Sequence, residues 1–256
     1  MSRLKVGSVV AGLSLVAAFS ARAQTKTVVL TAPYAPNSGA VTAFGYYMSP
    51  YSGTVNGTTQ RLNCVDFFHE AFLNVAWNAV QTNLGAALLT PSLVLNTRGG
   101  SNGRYSQTEA LIIYQEMAYL TDQYPTNPAS NPALSTAIQT AIWAIGSNDL
   151  FRTYTINAAA DVAGDFLVTN PDPNSTGYWI NQATVKYSQQ SAGYYNRFNI
   201  LTDAANPGGQ EFLYSAPEPG TLILLGTGLA AVIGGQRWNR RRKSLVGELI
   251  ADVTVA

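Results

Sequence analysis

Hydrophobic and polar positions along this chain follow two periods in turn. Residues 26–32, rich in Val and Thr, alternate with period two and predict a strand. Residues 41–48 and 53–61 predict further strands, with turns at Ser49-Pro50 and Asn56-Gly57. The period then lengthens. Ser106-Gln107-Thr108-Glu109 has the Ser-x-x-Glu form of a capping box, and apolar side chains recur at Ala110, Ile113, Tyr114, Met117 and Leu120. This predicts a helix ended by Pro125 and Pro128. A second helix opens with Asn131 as cap and Pro132 in its first turn, buries Leu134, Ile138, Ala141, Ile142 and Ile145, and stops near Gly146. A third is expected over residues 157–169, before Pro171 and Pro173. Strands are expected again at 178–187, 194–201 and 211–214. Residues 63–79 fit strand, loop and short helix each in part, and 95–105 read as a loop around Gly99-Gly100 and Asn102-Gly103. No internal repeat is evident. The pattern predicts an α+β domain of mixed antiparallel strands with two to three helices.

Two apolar runs obey neither period, and both lie at the ends. Met-Ser-Arg-Leu-Lys leads into an apolar stretch from Val6 to Phe19, followed by Ala21-Arg22-Ala23. A charged start, a short apolar centre and an Ala-x-Ala exit make a secretory signal peptide, with cleavage expected after Ala23. At the other end, Pro217-Glu218-Pro219 precedes an uncharged apolar run over about 221–235, expected to be a transmembrane helix. A basic cluster follows in 237–243: Arg237, Arg240, Arg241, Arg242 and Lys243. That cluster stops transfer and holds its own flank on the cytoplasmic side, with side chains long enough to snorkel and extend a short span. The organisation expected is therefore a signal peptide (1–23), an exported domain (24–215), a sorting segment (216–243) and a cytoplasmic extension (244–256).

The order Pro-Glu-Pro, apolar span, Arg-rich cluster resembles the PEP-CTERM sorting signal, a segment also labelled the ice-binding protein C-terminal domain, a name that alone does not imply ice binding. The resemblance covers roughly the last 40 residues. It implies recognition by an exosortase after export across the inner membrane, transient anchoring by the C-terminal helix, then delivery to the cell surface or extracellular matrix. Such signals are found in Gram-negative bacteria that make exopolysaccharide.

Composition narrows the body's role. Charged residues are 11% of the chain, well below the usual quarter or so. Residues 24–219 hold 7 Lys and Arg against 12 Asp and Glu, so the body carries about −5 and the basic charge sits in the tails. No basic patch interleaved with aromatics occurs in the body, which leaves nucleic-acid binding unsupported. A hydrophobic content of 46% is enough for a sizeable core.

There is one cysteine, Cys64, so no intramolecular disulfide is possible in an oxidising compartment. A lone exported thiol is either buried and inert, paired with another chain, or committed to other chemistry. Cys64 lies in Leu62-Asn63-Cys64-Val65-Asp66-Phe67, and a second segment reads Ala137-Ile138-Gln139-Thr140-Ala141-Ile142-Trp143. This pair resembles the bacterial thioester (TQXA-type) domain of surface adhesins, with Ile138 standing where that motif has Thr. The resemblance implies an internal bond between Cys64 and Gln139, and aromatic neighbours such as Phe67, Tyr114 or Trp143 would keep water from it. Surface amines would then be captured covalently. Such a module acts once and does not turn over, so no enzyme activity and no cofactor are implied.

Other constellations are weaker. His69, the sole histidine, lies five residues after Cys64, too close for the usual Cys–His hydrolase arrangement, and reads as a polar surface side chain. Asp66, His69 and Glu70 lack the further ligand that would complete a metal site. Three classes stay open: a covalent adhesin, a noncovalent exopolysaccharide- or biofilm-associated binding or structural protein, and, last, an exported hydrolase using Cys64.

Overall fold

The structure is a computed structural model that describes residues 24–33, 41–43, 45–48, 50–147, 169–191, 193–205 and 209–216. The expected signal peptide, all but the last residue of the helix expected over 157–169, the apolar run over 221–235 and the basic cluster lie outside these residues. Among the described residues no helix is long and apolar enough to cross a membrane.

Six antiparallel strands close into a barrel: β1 (Gln24–Pro33), β4 (Tyr51–Val55), β5 (Thr58–Cys64), β8 (Phe212–Ser215), β7 (Phe198–Asp203) and β6 (Ala76–Asn83), in that order around the wall. Closure leaves no free edge among these strands. Two short strands, β2 (Thr42–Ala43) and β3 (Tyr46–Tyr47), form a separate hairpin. Among the described residues five helices pack outside the barrel: α1 (Leu84–Leu89), α2 (Arg98–Ser101), α3 (Gln107–Thr121), α4 (Pro132–Gly146) and α5 (Thr176–Lys186). Helix α3 lies against both α4 and α5.

Local chemistry explains most of these elements. In β1, Val28 and Leu30 point into the core while Thr27 and Thr31 are exposed, the period-two pattern of a strand with one buried face. The span 53–61 divides into β4 and β5 about Asn56-Gly57, which take φ of 49° and 78°. Val55 pairs with Thr58 across them. Positive φ at both central residues of a two-residue turn suits Asn-Gly. Gly53 is required by space: a Cβ there would sit 2.6 Å from the Val29 carbonyl oxygen and 2.8 Å from Leu62 Cδ1.

Helices α3 and α4 start as their caps dictate. Ser106 Oγ accepts from Glu109 N at 3.2 Å while Glu109 Oε2 accepts from Ser106 N at 2.8 Å. Asn131 Oδ1 accepts from Leu134 N at 3.2 Å, with Pro132 opening the helix. The burial of α4 goes beyond a single stripe. Gln139, Thr140, Trp143 and Ala144 are buried together with Ile138, Ala141 and Ile142, because α4 is covered on several sides.

Several expectations need correction. Residues 178–187 form most of a helix, not a strand. Their aromatic and β-branched content suits a strand, but Ser175 caps the turn by accepting from Tyr178 N at 3.1 Å. Thr176, Trp179 and Ala183 are then buried at helical spacing. Residues 194–201 begin as a 3-10 turn, Tyr194–Arg197, before β7. The expected loop at 95–105 contains α2, capped by Thr97. The span 41–48 is the β2–β3 hairpin, and the ambiguous 63–79 resolves into the end of β5, a loop and the start of β6. The class expected, α+β with antiparallel strands, stands in the coarser form of a closed antiparallel barrel with several helices.

Candidate functional site

Strand β5 ends at Cys64, where the chain leaves the barrel wall; Leu62, Asn63 and Cys64 are all buried. Gln139 and Trp143 are one helical turn apart on α4 and face this point together. Gln139 Nε2 donates to the Cys64 carbonyl oxygen at 2.9 Å, across 75 residues of sequence. Trp143 Nε1 donates to Cys64 Sγ at 3.3 Å, and Sγ donates to the Asp66 carbonyl oxygen at 3.2 Å. The Tyr124 hydroxyl donates to Gln139 Oε1 at 2.7 Å. Gln139 is 0% exposed and Cys64 1%.

These bonds set the electrostatics. Burial pushes the Cys64 thiol far above its ordinary range, opposed only in part by the Trp143 N–H. The thiol is therefore protonated at neutral pH. Tyr124 is likewise pushed up by burial, so its hydroxyl keeps the proton it presents to Gln139. A buried sulfur thus lies beside an indole donor, and the Gln139 carboxamide oxygen lies against a phenol donor.

The loop after Cys64 is pinned by a polar cluster. Asp66 Oδ2 lies 3.0 Å from Arg98 Nε and 2.5 Å from His69 Nδ1. Arg98 Nη1 lies 3.1 Å from His69 Nε2, and Gln210 Nε2 donates to the Asp66 carbonyl oxygen at 2.8 Å. Beside it, the Glu211 carboxylate accepts from Arg98 N at 2.9 Å, from Thr202 Oγ1 at 2.5 Å and from the Tyr114 hydroxyl at 2.6 Å. Burial raises the Glu211 pKa. His69, expected as a surface side chain, is instead half-buried in this cluster, because Asp66 and Arg98 offer it polar partners. Among the described residues no group of three or more metal-ligating side chains gathers.

Of the residues singled out by sequence, Cys64, Gln139 and Trp143 meet directly. The Phe67 ring lies 5.1 Å from Trp143. Tyr114 is buried with its hydroxyl on Glu211. Two participants gave no signal in the sequence. Tyr124 sits beyond the end of α3 and reaches Gln139 through the fold. Tyr46 comes from the β2–β3 hairpin and lies 5.0 Å from Phe67 and 6.2 Å from Trp143. The sorting residues Pro217, Glu218 and Pro219, the basic cluster, and Ala21 and Ala23 lie outside the described residues.

Comparison with known proteins gives one family match. Residues 215–242 match the PEP-CTERM protein-sorting motif. This motif implies processing by an exosortase and an extracellular destination. No curated protein matches the chain in sequence. Among solved structures, the fold is similar to the N-terminal thioester domain of fibronectin-binding protein SfbI from Streptococcus pyogenes. The similarity has 11% identity and a TM-score of 0.37, covering 77% of this chain and 95% of that one. A likeness that distant carries no argument about function.

Proposed function

We propose that residues 24–215 form an exported covalent adhesion module. In this reading Cys64 and Gln139 join in an internal thioester that an amine or hydroxyl on a target surface opens. One observation carries the reading: the chain's single cysteine and a fully buried glutamine share one dry site, each with a hydrogen-bond donor aimed at the atom where negative charge would develop. Cys64 Sγ attacks Gln139 Cδ, the C–N bond breaks, and the thiol proton leaves with the amide nitrogen as ammonia. Tyr124 stabilises the oxyanion forming at Oε1, and Trp143 the charge growing on sulfur. Because burial disfavours a free thiolate, proton transfer accompanies the attack and does not precede it. Holding sulfur and carboxamide together replaces a bimolecular encounter, and the excluded water protects the acyl group from hydrolysis. The module acts once, without turnover or cofactor.

A noncovalent exopolysaccharide- or biofilm-associated protein is the second reading. It is favoured by the hydrogen-bond partners that Cys64 Sγ and both polar side-chain atoms of Gln139 have, which also describe an inert buried pair. Intact mass before and after methylamine separates the two. A mass one ammonia below the calculated value, with Cys64 closed to alkylation and methylamine captured at Gln139, supports the thioester. Cys64→Ala then abolishes capture in a folded protein. The full calculated mass with an alkylatable thiol overturns it.

For sorting, the reading is cleavage after Ala23, transient anchoring in the inner membrane through 221–235, retention by Arg237 to Lys243, and exosortase processing at Pro217-Glu218-Pro219. Replacing these three residues with alanine is expected to leave an uncleaved precursor in the inner membrane of an exosortase-containing host. Unchanged processing overturns the assignment.

A further inference from the structure

A sealed acyl group is useful only if a nucleophile can reach it. Three aromatic rings lead from the sulfur outward. Trp143, whose Nε1 contacts Sγ, packs at 5.1 Å against Phe67. Phe67 packs edge-on at 5.0 Å against Tyr46, which also meets Trp143 edge-on at 6.2 Å. The two inner rings stand on anchored backbone. Trp143 projects from the buried helix α4, and Phe67 follows Asp66, held by Arg98 and Gln210. Tyr46 differs in exposure and in its sheet, although Val41 and Met48 at the ends of its hairpin are buried in the core. It is 41% exposed, and it belongs to the two-stranded β2–β3 sheet, which shares no ladder with the barrel. Two-stranded hairpins are marginally stable by themselves, and exposed side chains change rotamer within nanoseconds. Beside Tyr46 an open cleft of about 480 Å³ is lined, among the described residues, by Thr42, Ala43, Gly45, Tyr46 and Tyr47. That volume accommodates a displaced ring or an incoming small group.

We propose that Tyr46 is the gate and size filter of the Cys64–Gln139 site, admitting a slender primary amine more readily than one with a bulky group behind the nitrogen. The proposal rests on the thioester reading. With the Tyr46 ring off Phe67, the amine nitrogen attacks Gln139 Cδ and the Cδ–Sγ bond breaks. A proton passes from nitrogen to sulfur, leaving a substituted amide at Gln139 and a free thiol at Cys64. Tyr46 touches neither reacting atom and acts by controlling approach.

The test compares capture rates of methylamine and cyclohexylmethylamine by the exported protein purified as secreted. Both present a CH2–NH2 nucleophile and differ in what lies behind it. The wild type is expected to take methylamine at least about tenfold faster, a barrier difference of about 1.4 kcal/mol. Tyr46→Ala should speed the bulky amine most and bring the two rates close together. Tyr46→Phe should keep the wild-type ratio, and Phe72→Ala, at an exposed aromatic elsewhere, should leave it alone. An unchanged ratio in Tyr46→Ala overturns the gate. Should no amine be captured by any form, the thioester reading fails separately. The gate is then read from alkylation of the free Cys64 thiol by iodoacetamide and by a bulky maleimide. Faster maleimide labelling in Tyr46→Ala supports it, and equal rates overturn it.

Discussion

Tyr124 shows how much of the site's chemistry rests on one side chain. Its hydroxyl supplies the donor on Gln139 Oε1, and burial keeps it protonated. Tyr124→Phe removes that donor and little volume. Loss of a single preorganised oxyanion donor typically costs about 10²–10³ in rate. If Cys64 and Gln139 form the proposed thioester, its formation, followed by intact mass after refolding, is expected to slow by roughly that factor while the fold survives. Cys64 was legible in the sequence as the one thiol in the chain, and Gln139 only through the resemblance of Gln139-Thr140-Ala141-Ile142-Trp143 to the thioester-domain motif. Tyr124 and Tyr46 were not, since no local spacing connects either of them to Cys64. Their contacts join segments that the sequence keeps apart.

At the scale of elements, capping and turn chemistry were the most readable. Ser106 with Glu109, Asn131 with Pro132, and Asn56-Gly57 each act within a few residues, so the sequence alone carries the whole interaction. Helix α5 is the counterexample. Tyr178, Trp179, Ile180 and Val185 favour a strand by composition, and what decides the outcome is burial of Trp179 and Ala183 with Thr176, together with the Ser175 cap. Strand β6 and helix α1 meet at another cap that local pattern did not single out, Asn83. Its Oδ1 accepts from Ala86 N at 2.9 Å, while Nδ2 donates to the Asn196 carbonyl at 2.8 Å and lies 3.2 Å from both the Phe198 carbonyl and Asn199 Oδ1. One side chain thus joins β6, α1 and β7. Asn83→Ala is expected to lower unfolding free energy by about 1–2 kcal/mol, from a lost cap and lost part-buried bonds. Urea denaturation measures it as a lower midpoint at unchanged slope.

For the molecule as a whole, buried carboxyl groups tie stability to pH. Burial raises the Glu116 pKa to about 7, and raises that of Glu211 as well. A carboxyl with a higher pKa folded than unfolded binds its proton more tightly in the native state. Its contribution is complete below the unfolded value and is lost as pH rises through the folded one. The melting temperature is therefore expected to fall between about pH 5 and pH 8. Glu116→Gln should flatten that slope, and an equally steep slope in the variant would exclude Glu116 as its source. The sequence by itself determined the features that need only neighbours: two capped helices, the Asn-Gly hairpin, and the terminal sorting motif, whose recognition depends on linear order. It also excluded an intramolecular disulfide, because the chain has one cysteine. Only the tertiary structure decided that six strands close into a barrel, that α4 is buried around most of its circumference, and that Cys64 meets Gln139 beneath a tyrosine from a distant hairpin. Those outcomes depend on which distant surfaces exclude water together, and that free energy is defined only once the chain has folded upon itself.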